Sequence, residues 1–154
     1  MGAKPMVARK SLKGDYCPSA RSLDVIGDWW SLLIVRDAFD GMTRFSEFQK
    51  SLGIARNILT DRLKTLVQSG ILDAVPLGDG GTRVEYRLTA MGKDLFPVMV
   101  ALRQFGERHL FAPEEKHSRL VERETGQRVS LDVRTEDGRA IGPDQAVILK
   151  IEDD

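Results

Sequence analysis

Two stretches of helical periodicity, separated by a single glycine, constrain the fold more than any other feature. Residues 45–52 place three apolar side chains at spacings of three and four, and Gly53 interrupts the pattern. Residues 54–68 then continue with one apolar stripe along a longer helix. The stripe consists of Ile54, Ile58, Leu59, Leu63, Leu66 and Val67. A short helix joined by a tight glycine turn to a longer amphipathic helix predicts a helix-turn-helix.

A β-hairpin is predicted directly behind the second of these helices. Residues 71–77 form a strand-like run, residues 79–81 read Asp-Gly-Gly, and residues 82–89 alternate apolar with charged side chains. A hairpin in this position is the wing of a winged helix. The sequence therefore predicts an α+β, mostly α-helical chain, a winged helix-turn-helix followed by a long helix and a small β-rich tail.

The helices on either side complete this outline. Gly27 and Asp28 end one helix and cap the next, which is apolar on nearly all sides and so is predicted to lie in the core. Thr89 is predicted to cap a long helix over residues 90–111, with a kink or turn at Pro97. The apolar face of that helix is broader than one small domain can cover, so we expect a homodimer. The residues assigned to this interface are Leu95, Val98, Leu102 and Phe105.

The chain divides into three predicted segments. Residues 1–16 are basic and aperiodic, which indicates a mobile arm, and residues 17–112 are predicted to hold the winged helix-turn-helix and the helix assigned to dimerisation. Residues 113–154 contain three strand candidates separated by glycine turns, which predicts a β-meander extension. Lys and Arg outnumber Asp and Glu by 16 to 12 in residues 1–112, whereas the acidic residues lead by 11 to 7 thereafter. A mildly basic domain with an acidic tail explains the net charge of zero.

Composition excludes several other classes of protein. No apolar run approaches the length of a membrane span, and no signal-peptide pattern occurs, so we expect a cytoplasmic protein associated with the nucleoid and no membrane partner. Cys17 is the single cysteine, and the two histidines are far from it in sequence, so no metal site is expected. No catalytic spacing or phosphate-binding loop is recognisable. We therefore expect neither an enzyme nor a cofactor.

The polar face of the second helix carries side chains suited to reading DNA. Arg56, Thr60 and Lys64 lie on one line along the helix, and Asn57 lies on a neighbouring line. Arg56 can bind guanine with two hydrogen bonds, and Asn57 can do the same for adenine. Thr60 suits a phosphate or a thymine methyl group, and Lys64 suits the phosphate backbone. Asp61 is expected to orient Arg56 or Arg62 rather than to face phosphates.

Two further cations support this interpretation. Arg44 precedes the first helix and suits the backbone, and Arg83 adjoins the hairpin tip, from which a wing can place a cation in the minor groove. An exposed polar face can also be merely solvated, and a winged helix can serve as a protein-interaction module without reading bases. The neutral overall charge favours that alternative, whereas the set of polar and cationic residues favours DNA.

Several short motifs resemble the HxlR-type family of bacterial winged-helix transcriptional regulators, over residues 17–111. The motifs are Cys17-Pro18, Ile26-Gly27-x-x-Trp30, Arg44-Phe45-x-Glu47, Leu59-Thr60-x-Arg62-Leu63 and Glu85-Tyr86-x-Leu88-Thr89 followed by Gly92. The resemblance implies a homodimer, formed through the N-terminal segment and the last long helix. It also implies binding to double-stranded operator DNA, here expected to repress transcription.

The same resemblance suggests control by a small-molecule or redox effector. Some regulators of this family keep a redox-sensing thiol at the dimer edge, at a position that corresponds to Cys17. Lys13 and Arg21 are close to Cys17 in sequence and would favour its thiolate, whereas Asp15 would oppose it. A small, inert thiol is the other interpretation.

Overall fold

The computed structural model of the protein describes residues 10–78 and 80–151. Residues 1–9 of the predicted N-terminal arm lie outside the described residues. The rest of that segment is held against the first helix, since the Leu12 amide donates to Asp24 Oδ1 at 3.0 Å. The chain separates into two compact units, the first ending at Gly92 and the second beginning at Lys93. The three-segment division stays a prediction.

Four helices build most of the first unit. They are α1 (Pro18–Ile26), α2 (Trp29–Phe39), α3 (Phe45–Leu52) and α4 (Arg56–Gln68). Asp28 caps α2 as predicted, because its carboxylate accepts from the Ser31 amide at 2.9 Å. Gly53 ends α3 with φ of 60°, a left-handed conformation that glycine adopts without strain. The helix-turn-helix predicted from the periodicity is confirmed.

The core of this unit lies where α4 meets α2, α3 and the first strand. The side chains that are at most 1% exposed include one face of α4 and its neighbours: Ile34, Val35, Phe48, Leu59, Leu63, Leu66 and Leu72. Two sequence-based expectations need correction. Trp29 is 69% exposed although it begins the predicted core helix, and Ile58 at 37% lies outside the buried stripe. Both side chains are exposed because only part of the apolar surface of each helix is covered by neighbouring elements.

Strands β1 (Leu72–Pro76) and β2 (Val84–Leu88) form the predicted hairpin. They pair antiparallel, with Leu72 opposite Leu88 and Pro76 opposite Val84. Leu72 is fully buried and Leu88 opposite it is partly buried, so this end of the hairpin lies at the first unit's core. The wing of the sequence prediction is confirmed.

The chain leaves the hairpin through a tight turn at Thr89. The Gly92 amide donates to Thr89 Oγ1 at 3.0 Å, which confirms Thr89 as the cap of the short helix α5 (Ala90–Lys93). Gly92 is buried, and a Cβ atom at this position would lie 2.2 Å from the Ile71 carbonyl oxygen. Only glycine therefore allows α5 to approach the start of β1 this closely.

The second unit begins with a break that corrects the predicted single helix over residues 90–111. Helix α5 ends at Lys93, and α6 runs separately from Phe96 to His109. Pro97 lies in the first turn of α6, where its missing N–H costs no hydrogen bond. The proline thus starts a helix instead of kinking one.

The tail of the second unit is attached to α6 by polar side chains. The Gln104 side chain donates to the Leu131 carbonyl at 2.8 Å and accepts from the Leu131 amide, as a neighbouring strand would. Glu107 accepts from Arg103 at 3.0 Å and from Arg128 at 2.9 Å. The guanidinium of Arg103, followed by that of Arg128, lowers the pKa of the Glu107 carboxyl from its ordinary value. The carboxylate therefore stays ionised as a link between helix and tail.

Continuous strands are not formed in the described part of the tail, which corrects the expected three-stranded meander. Its turns are closed by isolated antiparallel bridges, Val121 with Arg128 and Arg134 with Ala140. Residues 143–145 form a short 3-10 turn, Ala146 after it has extended backbone angles, and residues 147–151 belong to no helix or strand. Each bridged pair of segments is too short to form a continuous ladder of hydrogen bonds. Each pair also lacks the third strand that a stable sheet needs. Alternation of apolar residues was therefore not sufficient to predict strands in this part of the chain.

Replacement of Gly92 by Ala should destabilise the protein by about 1–3 kcal/mol or more, because the added methyl group meets backbone rather than a flexible side chain. Thermal unfolding followed by circular dichroism measures the loss. Gly14→Ala is the matched control, since nothing lies within 4 Å of a Cβ at Gly14. Equal unfolding temperatures for the two variants would contradict the described packing at Gly92.

Candidate nucleic-acid interface

Helix α4 has one buried face and one exposed polar face. Leu59, Leu63 and Leu66 are at most 1% exposed, which fixes the rotation of the helix about its axis. The side chains selected from the sequence are all exposed on the other side: Arg56, Asn57, Thr60 and Lys64. Residues spaced by three or four on an α-helix are neighbours. The four side chains therefore form one polar surface along α4.

The beginning of α4 is open to an approaching ligand. Its N-cap is Ala55, an extended residue whose methyl group cannot cap the helix, and the first turn contains no acidic residue. The positive end of the helix dipole and its first amide groups are thus not neutralised by the helix's own side chains. This arrangement favours a negatively charged partner at the end that carries Arg56 and Asn57.

Arg56 is linked to the preceding helix. Its guanidinium carbon lies 5.0 Å from the centre of the Phe45 ring, within the range of a cation–π contact. Phe45 directly follows Arg44, the exposed N-cap residue of α3. The start of α3 therefore brings Arg44 to the end of α4 that carries Arg56.

The hydroxyl proton of Thr60 is already engaged in a hydrogen bond within α4. Its hydroxyl donates to the Arg56 carbonyl at 2.8 Å, which is the usual back-bond to residue i−4. The side chain therefore presents its methyl group and oxygen lone pairs, since its single proton is engaged. Of the two roles considered for Thr60, this geometry favours contact with a methyl group over donation to a phosphate.

Arg62 is a positioning residue that the sequence did not single out for this role. Its Nε lies 3.2 Å from Asp28 Oδ1, and its Nη1 lies 3.0 Å from Asp61 Oδ2. Asp28 also accepts from Ser31 Oγ at 2.6 Å at the start of α2. Arg62 thus ties α4 to the N-terminus of α2. Asp61 orients Arg62, one of the two arginines proposed for it from the sequence.

The hairpin is joined to the helix-turn-helix by a backbone hydrogen bond. The Tyr86 amide donates to the Thr43 carbonyl at 2.7 Å, one residue before Arg44. Towards the tip, the Leu77 amide donates to the Arg83 carbonyl at 2.9 Å, and the Arg83 side chain is exposed. Asp79, at the tip, lies outside the described residues. The wing therefore starts from a fixed base beside α3.

The residues assigned to dimerisation belong to the second unit. Leu95 is half-buried, whereas Val98, Leu102 and Phe105 are 40, 49 and 61% exposed. They lie on one side of α6 and its N-cap at helical spacing. The stripe is therefore an exposed apolar surface of the second unit.

Cys17 is exposed at the N-cap of α1, and its amide donates to Asp15 Oδ1 at 2.8 Å. Within residues 10–78 and 80–151, no group of three or more His, Cys, Asp or Glu side chains could hold a metal ion. No helix in that same part of the chain is long and apolar enough to cross a membrane.

A helix-turn-helix followed by a two-stranded hairpin wing makes the first unit a winged helix. The model of the HxlR-like helix-turn-helix family matches residues 25–115. The protein belongs to this family of transcriptional regulators. The family assignment confirms the resemblance seen in the motifs and the prediction of a regulator rather than an enzyme.

Related proteins agree with this assignment. The HTH-type transcriptional regulator Mb3122 of Mycobacterium bovis is 46% identical over 94 residues, which are 61% of this chain and 60% of Mb3122. The match thus spans about three fifths of that relative's length. The crystal structure of PA1607, a proposed transcription factor, is 55% identical with a TM-score of 0.85, and the match covers 91% of this chain and 99% of PA1607.

A third similar protein is the redox regulator HypR in its oxidised form. It is 32% identical with a TM-score of 0.57, and the match covers 62% of this chain and all of HypR, at 100%. The similarity to HypR thus leaves a large part of this chain unmatched, whereas PA1607 is similar along nearly the whole chain.

The link between Arg62 and Asp28 should be measurable in a double-mutant cycle with Arg62→Ala and Asp28→Ala. Each side chain of the pair is about one third exposed, so we expect a coupling free energy of about 0.5–1 kcal/mol. Asp28→Ala alone should lower the free energy of unfolding by about 1 kcal/mol beyond this coupling, because it also removes the cap of α2. Urea unfolding gives all four stabilities, and strictly additive losses would show that the two side chains do not interact.

Proposed function

We propose that the protein is a sequence-specific regulator that binds operator DNA as a homodimer and represses transcription. In this proposal α4 lies in the major groove and the hairpin reaches the minor groove. One observation carries it: α4 buries its leucines completely and leaves Arg56, Asn57, Thr60 and Lys64 exposed together on the opposite face. Membership of a helix-turn-helix regulator family supports DNA as the partner of this surface.

The dimensions of DNA support the placement of α4. The major groove is about 12 Å wide and admits one α-helix, whose N-terminal residues meet the base edges. The uncapped start of α4 brings Arg56 and Asn57 to the bases, and its positive dipole end favours nearby phosphates. Arg56 would bind guanine and Asn57 adenine, each with two hydrogen bonds.

The remaining side chains are assigned by their geometry. Thr60 would contact a thymine methyl group, because its hydroxyl proton is bound to the Arg56 carbonyl. Lys64 and Arg44 would contact phosphates, where a cation needs no defined angle to a base. Arg83, which is exposed and directly precedes β2, would enter the minor groove.

Alanine substitutions should separate base reading from backbone contact. Arg56→Ala or Asn57→Ala should cost about 1–3 kcal/mol of binding free energy on the operator, and each should relax the preference at one base position per half-site. Lys64→Ala and Arg83→Ala should weaken all sequences alike and reduce the slope of log affinity against log salt by about one unit each.

The measurement is a salt titration of the wild type and the four variants on operator and scrambled duplexes, with the operator first located upstream of the protein's own gene cluster. Arg123→Ala, which removes an exposed cation of the tail, is the control for loss of charge. Equal losses on both duplexes for the Arg56 and Asn57 variants would contradict base reading. That result would favour the protein-interaction module instead.

The homodimer rests on the open apolar stripe of α6. Val98, Leu102 and Phe105 would pack against the same residues of a second copy, because a two-fold interface uses the same surface on both subunits. Two α4 helices related by a two-fold axis would read an inverted repeat. The half-site centres would then be separated by about one helical turn of DNA or a multiple of it.

Leu102→Glu combined with Phe105→Glu should give a monomer of 17.2 kDa, because both changes place charges in the proposed interface. Sedimentation equilibrium at micromolar concentration measures the mass. Both side chains are about half exposed in the single chain, so the fold itself should tolerate the change, and circular dichroism provides the control. An unchanged dimer mass would place the interface elsewhere.

Redox control is a second candidate for the regulation of this protein. Cys17 is exposed, and the redox regulator HypR is a similar protein. Cys17 would then sense oxidants through its accessible thiol, and a small-molecule effector is the alternative source of control.

A further inference from the structure

The last described residues of the tail, 146–151, carry large apolar side chains that are uncovered. Four of the six residues from Ala146 to Ile151 are of this kind, and none is less than 70% exposed. They are Val147 at 83%, Ile148 at 80%, Leu149 at 89% and Ile151 at 70%. Single exposed apolar residues are ordinary, but a contiguous group of this size marks an interaction surface.

The backbone of the same segment is also available for pairing. Residues 147–151 belong to no helix or strand, and Ala146 before them has the extended conformation, with φ of −121° and ψ of 146°. In the described part of the chain, no backbone hydrogen bond involves residues 147–151. An apolar segment whose amide and carbonyl groups are unpaired can add to a second strand. Helix faces cannot satisfy these groups, whereas another strand can.

The alternation of side chains indicates how such a pair would be oriented. Successive residues of a strand point to opposite faces, so Val147, Leu149 and Ile151 share one face. Ile148 and Lys150 share the other face. One face is therefore wholly apolar and suited to burial, and the other can remain partly in water.

One observation and one argument from interface area favour a second copy of this chain as the occupant. The stripe of Val98, Leu102 and Phe105 on α6 is exposed in the same unit, so neither apolar surface covers the other within one chain. A stable interface removes about 800 Å² from each partner, which is more than four side chains of one strand supply. The segment therefore adds to a larger interface, and the α6 stripe of the homodimer provides one.

We propose that residues 146–151 form an arm that pairs antiparallel with the same arm of a second copy across the two-fold axis. This inference rests on the proposed homodimer. Leu149 lies at the centre of the pair, opposite Leu149 of the second copy, and Val147 lies opposite Ile151. The apolar face of the paired arms lies beside the paired α6 stripes and enlarges the interface that they form. Glu152, Asp153 and Asp154 follow in the sequence, and their charges oppose the addition of further strands.

A cysteine at the centre of the pair tests this geometry. Leu149→Cys is introduced together with Cys17→Ser, so that one thiol remains in each chain. Directly opposite residues of an antiparallel pair have Cβ atoms about 4.5–5.5 Å apart, close enough for a disulfide after small movements. Mild oxidation with copper phenanthroline at micromolar concentration should convert most of the protein to a covalent dimer, at twice the 17.2 kDa chain mass.

Val133→Cys in the same background is the matched control, because Val133 is 65% exposed in the tail but outside the arm. It should form little covalent dimer under the same conditions. Equal cross-linking of the two variants would reflect random collisions and would overturn the proposal.

A second experiment separates failure of the arm from failure of the homodimer. Val147→Glu with Leu149→Glu should raise the dimer dissociation constant at least tenfold in sedimentation, with the helical circular dichroism spectrum unchanged. Gln127→Glu with Ala140→Glu adds the same charge at exposed tail positions and should leave the constant within threefold.

If the wild type is a dimer and the arm variant changes its dissociation constant by less than threefold, the proposed pairing of the arms is wrong. The proposed α6 interface would be unaffected by that result. A monomeric wild type would overturn the homodimer and the arm with it.

Discussion

The burial of the α4 leucines is the constraint on which the proposed DNA surface depends. Leu59, Leu63 and Leu66 lie in the core with Phe48 of α3, so α4 cannot rotate about its axis without exposing them to water. Burying each such side chain is worth about 1.5–3 kcal/mol. Rotation of α4 would lose this free energy, so Arg56 and the other polar residues of the opposite face stay exposed. They are then accessible to a DNA duplex.

Polar contacts then define the details that apolar packing leaves free. Arg62 connects α4 to the Asp28 cap of α2, and the Thr43 carbonyl connects the hairpin to the start of α3. Neither contact uses a side chain assigned to DNA, although Thr43 directly precedes Arg44 in the sequence. The helix-turn-helix and the wing are therefore joined by a framework that is separate from the proposed reading residues. Substitutions at Arg56 or Asn57 can change recognition without dismantling the fold.

Periodicity predicted the helices and the hairpin, because local spacing of apolar residues reports which face of an element is buried. It also placed the polar residues of α4 on one exposed surface. It could not predict the Arg62–Asp28 contact, which joins residues distant in sequence, or the open position of Trp29. Pro97 could equally kink a helix or start one, and Leu95 before it became the N-cap of α6. In the tail, alternation predicted three strands, but the described residues form only two isolated bridges, because pairing depends on contacts distant in sequence.

Methylation protection on the operator tests the central claim most directly, because dimethyl sulfate reacts with guanine N7 in the major groove. If α4 reads bases there, the bound protein should protect guanines in two symmetric half-sites whose centres are about one helical turn apart or a multiple of it. The Arg56→Ala variant, at concentrations that saturate the DNA, should lose protection at one guanine in each half-site. Binding without protection of any guanine N7 in half-sites that contain guanine, or protection unaffected by that substitution, would contradict the account.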